Sequence, residues 1–210
     1  MSAADAVTQD RVYRALKNEY LAGEFSVGAK LELAATADRL QSSKTPVREA
    51  IHRLVGERIL EADPGGGFRI RQPLPSQPIQ LYQWNAHLLL SLVALIPPSE
   101  LADRIGHFDG LAPPTSKTEV VMRTGSIFVS LAAASGNSEA VAAIVHINER
   151  LLSTRIAEIA DLKESVREQR TLTNVAVADV QKNMRRRLES YHERRIQRQR
   201  DSLAIVNKEM

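Results

Sequence analysis

Cysteine is absent from the 210 residues. That excludes a disulfide framework, thiolate-bound zinc, iron–sulfur clusters and a thiol nucleophile. Aromatic residues are scarce at 4 %, and the strand-like material is short. Charge of neither sign dominates, since 28 Lys and Arg against 25 Asp and Glu leave a formal net charge of +3. Partner preference must therefore come from where charge sits. With 43 % hydrophobic and 25 % charged residues the chain reads as globular. Met1-Ser2-Ala3-Ala4-Asp5-Ala6 has no basic region followed by an apolar core, so no secretory signal is expected and the expected location is cytoplasmic.

Charged side chains are missing altogether from residues 72–99. Within them Leu88 to Ile96 is apolar apart from Ser91. A membrane span needs roughly 20 predominantly apolar residues, and this run meets His87, Asn85, Gln83 and Gln80 on one side and Pro97-Pro98 on the other. A helix over 79–96, buried in a bundle or in a dimer interface, is expected instead of a membrane partner. Recognisable catalytic patterns are absent too: no glycine-rich phosphate loop, no HExxH, no GxSxG and no dinucleotide fingerprint. The chain is not expected to be an enzyme.

What is present is helical spacing on both sides of one break. Gln72-Pro73-Leu74-Pro75-Ser76-Gln77-Pro78 cannot continue a helix or a central strand. The expected division is a domain over 1–72, a linker over 73–78 and an all-helical domain over 79–210. In the first part, Val12, Leu16, Tyr20 and Leu21 share a helix face closed by Gly23, and Leu31 to Leu40 forms a second short helix. After the turn Gln41-Ser42-Ser43, with Ser43 as N-cap and Pro46 in the first turn, a third helix is expected from about Lys44 to Leu60. Its apolar stripe is Val47, Ala50, Ile51, Leu54 and Val55, while Lys44, Arg48 and His52 lie on the other face. Two short strands around Pro64-Gly65-Gly66-Gly67 follow, with Phe68 and Ile70 on one side and Arg69 and Arg71 on the other.

A short helix, a tight turn and a helix with a cationic face describe a helix-turn-helix, and the glycine-tipped hairpin describes a wing. Such a helix enters the DNA major groove by its first turns. Arg48 can donate a bidentate pair to guanine, and Lys44 can reach the same atoms. Ser43 and Thr45 can bond phosphates beside the free N–H groups of the helix start. Gly66 at the wing tip leaves room for the backbone of DNA, and Arg69 is the wing's candidate contact. For each residue alone the alternative is a solvated helix face or an ordinary turn.

Leu40-Gln41-Ser42-Ser43-Lys44-Thr45-Pro46-Val47-Arg48-Glu49-Ala50-Ile51 resembles the helix-turn-helix signature of the GntR family of bacterial transcription regulators, whose usual form is LGVSRTPVREAL. Leu21-Ala22-Gly23, Val27-Gly28-Ala29-Lys30-Leu31 and Gly66-Gly67 extend the likeness over about residues 10–71. The resemblance implies operator contacts from Lys44, Thr45 and Arg48. Lys44 stands for the usual Arg, Gln41 for the turn glycine, and Leu33-Ala34-Ala35 offers no arginine at the start of the second helix. The implied function is a dimeric regulator, a repressor in most of the family, that binds a pseudo-palindromic operator in double-stranded DNA and responds to a small organic effector. The alternative is the same fold without metabolite sensing, governed by a protein partner or constitutive.

In the second part, helices are expected over 79–96, 99–108, 117–134 and 138–160, then one long helix or a pair over about 163–204. Phe128-Val129-Ser130-Leu131-Ala132-Ala133-Ala134-Ser135-Gly136-Asn137 and Arg167-Glu168-Gln169-Arg170 resemble the FadR-like, FCD-type effector domain. Many such domains hold a metal through one Asp and three His. The matching positions here are Gly125, Val129, Gln169 and either Tyr191 or His192. Glycine and valine cannot coordinate, so no family-type metal cofactor is expected. His87, His107 and His146 fall on separate helices and read as packed or surface histidines. Arg123, Asn148 and Arg155 are candidates to line an effector pocket by pairing with a carboxylate; ordinary surface charge is the plainer alternative. Arg185-Arg186-Arg187, Arg194-Arg195, Arg198 and Arg200 read as a solvated helix face or as a further nucleic-acid contact.

Overall fold

A computed structural model describes residues 3–174 and 179–209. The chain divides into two compact units, residues 1–72 and 73–210. In the first, α1 (Ala3–Leu21), α2 (Leu33–Arg39) and α3 (Lys44–Gly56) accompany a small antiparallel sheet of β1 (Lys30–Leu31), β2 (Leu60–Ala62) and β3 (Phe68–Ile70). The sheet order is β1-β3-β2, with Leu31 opposite Phe68, Leu60 opposite Ile70 and Glu61 opposite Arg69. Val12, Leu16, Val47, Ile51, Leu54, Leu60 and Ile70 form the buried centre. Each such side chain contributes about 1.5–3 kcal/mol through burial.

Three expectations for this unit shift. Leu31 belongs to a strand, so α2 starts at Leu33. The third helix stops at Gly56, because Arg58 takes a positive φ of 58° that α-helix excludes, and Leu60 then enters β2. Ser43 occupies the N-cap position with extended backbone but makes no capping bond through its side chain.

The second unit is all-helical among the described residues: α4 (Gln77–Val93), α5 (Pro98–Asp109), α6 (Lys117–Ala134), α7 (Ser138–Ala157), α8 (Leu162–Thr173) and α9 (Val180–Glu209). α4 begins inside the stretch read as linker, with Pro78 in its first turn where a missing N–H is harmless. The C-terminal region is a pair of helices. Ser135-Gly136-Asn137 ends one helix and starts the next, Gly136 at φ +69° and Asn137 Oδ1 accepting from Glu139 and Ala140 N–H. Leu89, Val93, Phe128, Leu131, Ile144, Met184 and Leu188 lie in one buried cluster. α4 is buried on one face only: Leu81, Leu89 and Leu92 are inside, whereas Trp84 is 52 % exposed; Leu95, past the helix end, is 76 % exposed. No helix among the described residues is long and apolar enough to cross a membrane.

Candidate functional site

The first candidate surface is the exposed side of α3 and the hairpin beside it. The helix buries Val47, Ala50, Ile51 and Leu54 and leaves Lys44, Thr45, Arg48 and His52 exposed, together with Ser43 ahead of it. Lys44 and Arg48 are one helical turn apart, so their charges share a face. α3 is held from behind by α1. Tyr13 Oη donates to Glu57 Oε1 at 2.7 Å, Lys17 Nζ donates to Glu57 Oε2 at 2.8 Å, and the Arg53 guanidinium lies 3.6 Å from the Tyr13 ring centroid. Arg11 reaches the turn before α3, donating from Nη1 to the Leu40 carbonyl oxygen at 3.1 Å. Nothing in the spacing of α1 singles out Arg11, because its partner lies 29 residues away. In that turn Gln41 adopts φ +47°, a left-handed conformation that glycine takes without cost.

The wing is joined to α3 by an aromatic contact, His52 against Phe68 edge-on at 5.3 Å. Gly66 is exposed at the tip with φ +90°. Arg69 has its charge answered within the hairpin: Nε donates to Glu61 Oε1 at 2.8 Å and Nη1 lies 4.0 Å from Asp63 Oδ2. The Asp63 carboxyl is held below its usual range by the Gly65 N–H, with Lys30 and Arg69 adding to it. The outward cations of α3 and the glycine tip therefore form the surface open to a partner, and Arg69 serves the sheet as well.

Against this geometry, residues 8–70 match the family described as bacterial regulatory proteins, gntR family. The N-terminal unit carries a GntR-type segment over these residues. The chain is also 29 % identical over 83 residues to the HTH-type transcriptional repressor GlaR of Escherichia coli (strain K12), covering 40 % of this chain and 38 % of that protein. The chain thus matches about two fifths of that relative's length. Among solved structures, a putative transcriptional regulator GntR from Rhodococcus sp. RHA1 superposes with a TM-score of 0.76 at 16 % identity, over 91 % of this chain and 96 % of that one. E. coli McbR/YncC superposes with a TM-score of 0.69 at 20 % identity, over 93 % and 98 % of the two chains. At these identities the superpositions establish a shared fold: winged helix-turn-helix followed by a helical unit.

In the helical unit, two of the positions that the FCD-type resemblance sets against metal ligands carry no donor. These are Gly125 and Val129; Gln169 is buried among the helices. His192 is buried among the rings of Tyr82, Phe128 and Tyr191, and both nitrogens are engaged: Nδ1 lies 2.7 Å from the Leu188 carbonyl and Nε2 3.1 Å from Asn85 Oδ1. Burial lowers its pKa to about 3, with Arg155 and Arg195 acting in the same direction. The ring is therefore neutral, its Nδ1–H donates to Leu188, and Nε2 needs a donor, which the NH2 group of Asn85 supplies when turned toward it. Among the described residues no three His, Asp or Glu cluster as metal ligands.

Of the three effector-pocket candidates, Asn148 and Arg155 come together and Arg123 does not. Arg155 Nη1 donates to Asn148 Oδ1 at 2.9 Å, and Asn148 Nδ2 donates to the Gly125 carbonyl at 3.1 Å. Arg123 instead donates to the Ala112 carbonyl at 2.5 Å near the start of α6. Surface charge does not describe Arg155, which is 3 % exposed. Beside it, the Glu158 carboxylate accepts from Tyr82 Oη at 2.8 Å and from Gln199, and meets Arg195 at 3.6 Å; burial raises its pKa against those partners. Arg195 is also paired with Glu168. The arginine run is thus divided: Arg195 is buried, while Arg185, Arg186, Arg194, Arg198 and Arg200 are exposed. His87 and His107 are exposed and His146 half-buried.

Proposed function

We propose that the chain is a DNA-binding transcription regulator whose α3 reads an operator. The observation that carries this is the outward row of Lys44, Thr45 and Arg48 on a helix locked from behind by Tyr13 and Lys17 of α1, with a glycine-tipped wing packed beside it. A rigid helix presenting donors at its first turns suits major-groove readout, and a wing tip without side chains suits close approach to the backbone. Two copies acting as a homodimer read the half-sites of a pseudo-palindrome. Repression is the proposed direction, in keeping with the name of the E. coli relative. The helical unit acts as an FCD-type effector domain without the metal that the resemblance implies for many such domains, and a small organic effector shifts the dimer between DNA-competent and incompetent arrangements.

The test is binding of the full chain to the DNA upstream of its own gene, with a scrambled duplex as competitor and a salt series. The expected result is a two-fold symmetric footprint and affinity that falls as salt rises. Binding indifferent to sequence in every upstream duplex tried contradicts operator reading.

A further inference from the structure

The first two turns of α9 carry Lys182, Arg185, Arg186 and Arg187. Val180, Met184 and Leu188, spaced by four, are buried and hold this stretch against the bundle. Lys182, Arg185 and Arg186 are exposed as a result, and Arg187 is half-buried. The stretch is tied to the end of α4: Gln181 Nε2 donates to the Ile96 carbonyl at 2.6 Å, and Arg185 Nη1 to the Leu90 carbonyl at 3.4 Å. The cations therefore stand on a fixed element rather than on a loop.

No carboxylate answers this row. Among the described residues none of its four basic side chains takes part in a salt bridge. α4, against which α9 packs, cannot supply a partner, because residues 72–99 hold no charged side chain. The first turn of α9 has no acidic residue either, and the free N–H groups of that turn add positive potential of their own. Glu189 borders the row one turn on without pairing with it. The crowding registers at Arg187, whose pKa is lowered by burial and then by Arg186. Arg194 and Arg195, further along the same helix, differ: Glu168 pairs with both, and Glu158 lies beside Arg195.

Like charges one turn apart, as at Lys182 and Arg186, repel each other and weaken the helix unless an anion from outside covers them. The shape of the surface selects that anion. The row borders an open hollow of about 490 Å³ shared with Ala94 and Gln181, which suits a charged backbone passing over it. We propose that Lys182, Arg185 and Arg186 form a second contact with double-stranded DNA, made to its phosphates without regard to sequence and separate from the surface of α3. Basic side chains and a helix start hold phosphate oxygens without reading bases. The choice of DNA among polyanions rests on the reading of this chain as a DNA-binding regulator. The row adds affinity and leaves specificity to α3.

The experiment follows binding of the full chain to a scrambled duplex by fluorescence anisotropy over about 50 to 200 mM salt. Lys182→Gln/Arg185→Gln/Arg186→Gln is compared with the parent and with Lys117→Gln/Lys163→Gln/Arg170→Gln, which removes the same charge from exposed sites on α6 and α8. The first variant should bind about tenfold or more weakly at low salt, with a slope of log affinity against log salt shallower by about 2 to 3. The second should stay within about twofold of the parent, since its cations lie off the row. Arg185→Lys/Arg186→Lys should keep the parent's affinity, because a phosphate accepts a point charge. Thermal unfolding checks that each variant folds, and Arg186→Glu alone replaces the first variant if that one does not.

Parental affinity and slope in the first variant, or an equal loss in the second, overturns the proposal. So does polyglutamate that displaces the labelled duplex as well as unlabelled duplex does. The ratio of operator to scrambled affinity should be unchanged in the first variant. A parent with no operator preference that still shows the loss would fault base reading by α3 and leave this contact intact. A two-fold operator footprint with no loss on the scrambled duplex would do the reverse.

Discussion

His52 of α3 sets its ring edge-on against Phe68 of β3, with centroids 5.3 Å apart. This contact couples the helix proposed to read bases to the hairpin proposed to follow the backbone. Phe68→Ala removes it and empties a half-buried site. We predict a loss of about 1–3 kcal/mol in the stability of the N-terminal unit, measured by urea unfolding, with operator affinity falling further than stability accounts for. A variant as stable and as tightly bound as the parent would show that the contact is incidental.

Gln41 stands where the GntR signature has glycine, and its φ of +47° is strained for a side chain with a Cβ. Gln41→Gly is expected to stabilise the unit by up to about 1 kcal/mol, since relief of the left-handed strain exceeds the added flexibility of the unfolded chain. A lower urea midpoint in the variant would mean that the Gln41 side chain holds the turn.

At Gly125 the limit is space. A Cβ there would lie 3.4 Å from Asn148 Nδ2, so alanine requires a shift of only a few tenths of an ångström while gaining helix propensity. Gly125→Ala should fall within about 1 kcal/mol of the parent. Gly125→Val has no such room and should cost about 1–3 kcal/mol. Equal stability of the two variants, measured by thermal unfolding, would show that Asn148 does not need the close approach.

His192 predicts a pH dependence. Its pKa is depressed to about 3 in the folded chain, from an ordinary 6.5. The unfolded chain takes up a proton near 6.5 and the folded chain does not. The stabilisation is therefore full above 6.5 and is lost as pH falls toward 3, at about 1.4 kcal/mol per pH unit. Urea unfolding at pH 7, 6 and 5 should show this slope, and His192→Gln should flatten it. An unchanged slope in the variant would assign the acid sensitivity to other groups.

The parts of the fold legible in the sequence were those specified locally. The turn at Gln41-Ser42-Ser43, Pro46 in a first helical turn, the apolar stripe of α3 and the restart at Asn137 are each fixed by neighbours a few residues away. β1 was not legible, because Lys30 and Leu31 become a strand only by pairing with Arg69 and Phe68. Nor was the burial of Arg155. Arginine is rarely buried, and nothing local signals that α7 turns this one inward toward Tyr82 and Phe128. The same long-range packing pairs Arg69 with Glu61 and sends Arg123 to Ala112.

The central claim is that α3 reads DNA through its exposed cations. The most direct measurement compares the parent with a Lys44→Ala/Arg48→Ala double variant on the upstream operator, by competition against scrambled duplex across a salt series. Both side chains are exposed, so the fold and oligomeric state should be unchanged. The account predicts loss of sequence-specific binding, at roughly 1–3 kcal/mol per base contact removed. It also predicts a shallower salt dependence for whatever binding is left. Operator affinity and specificity equal to the parent's would contradict the assignment of α3 as the reading helix.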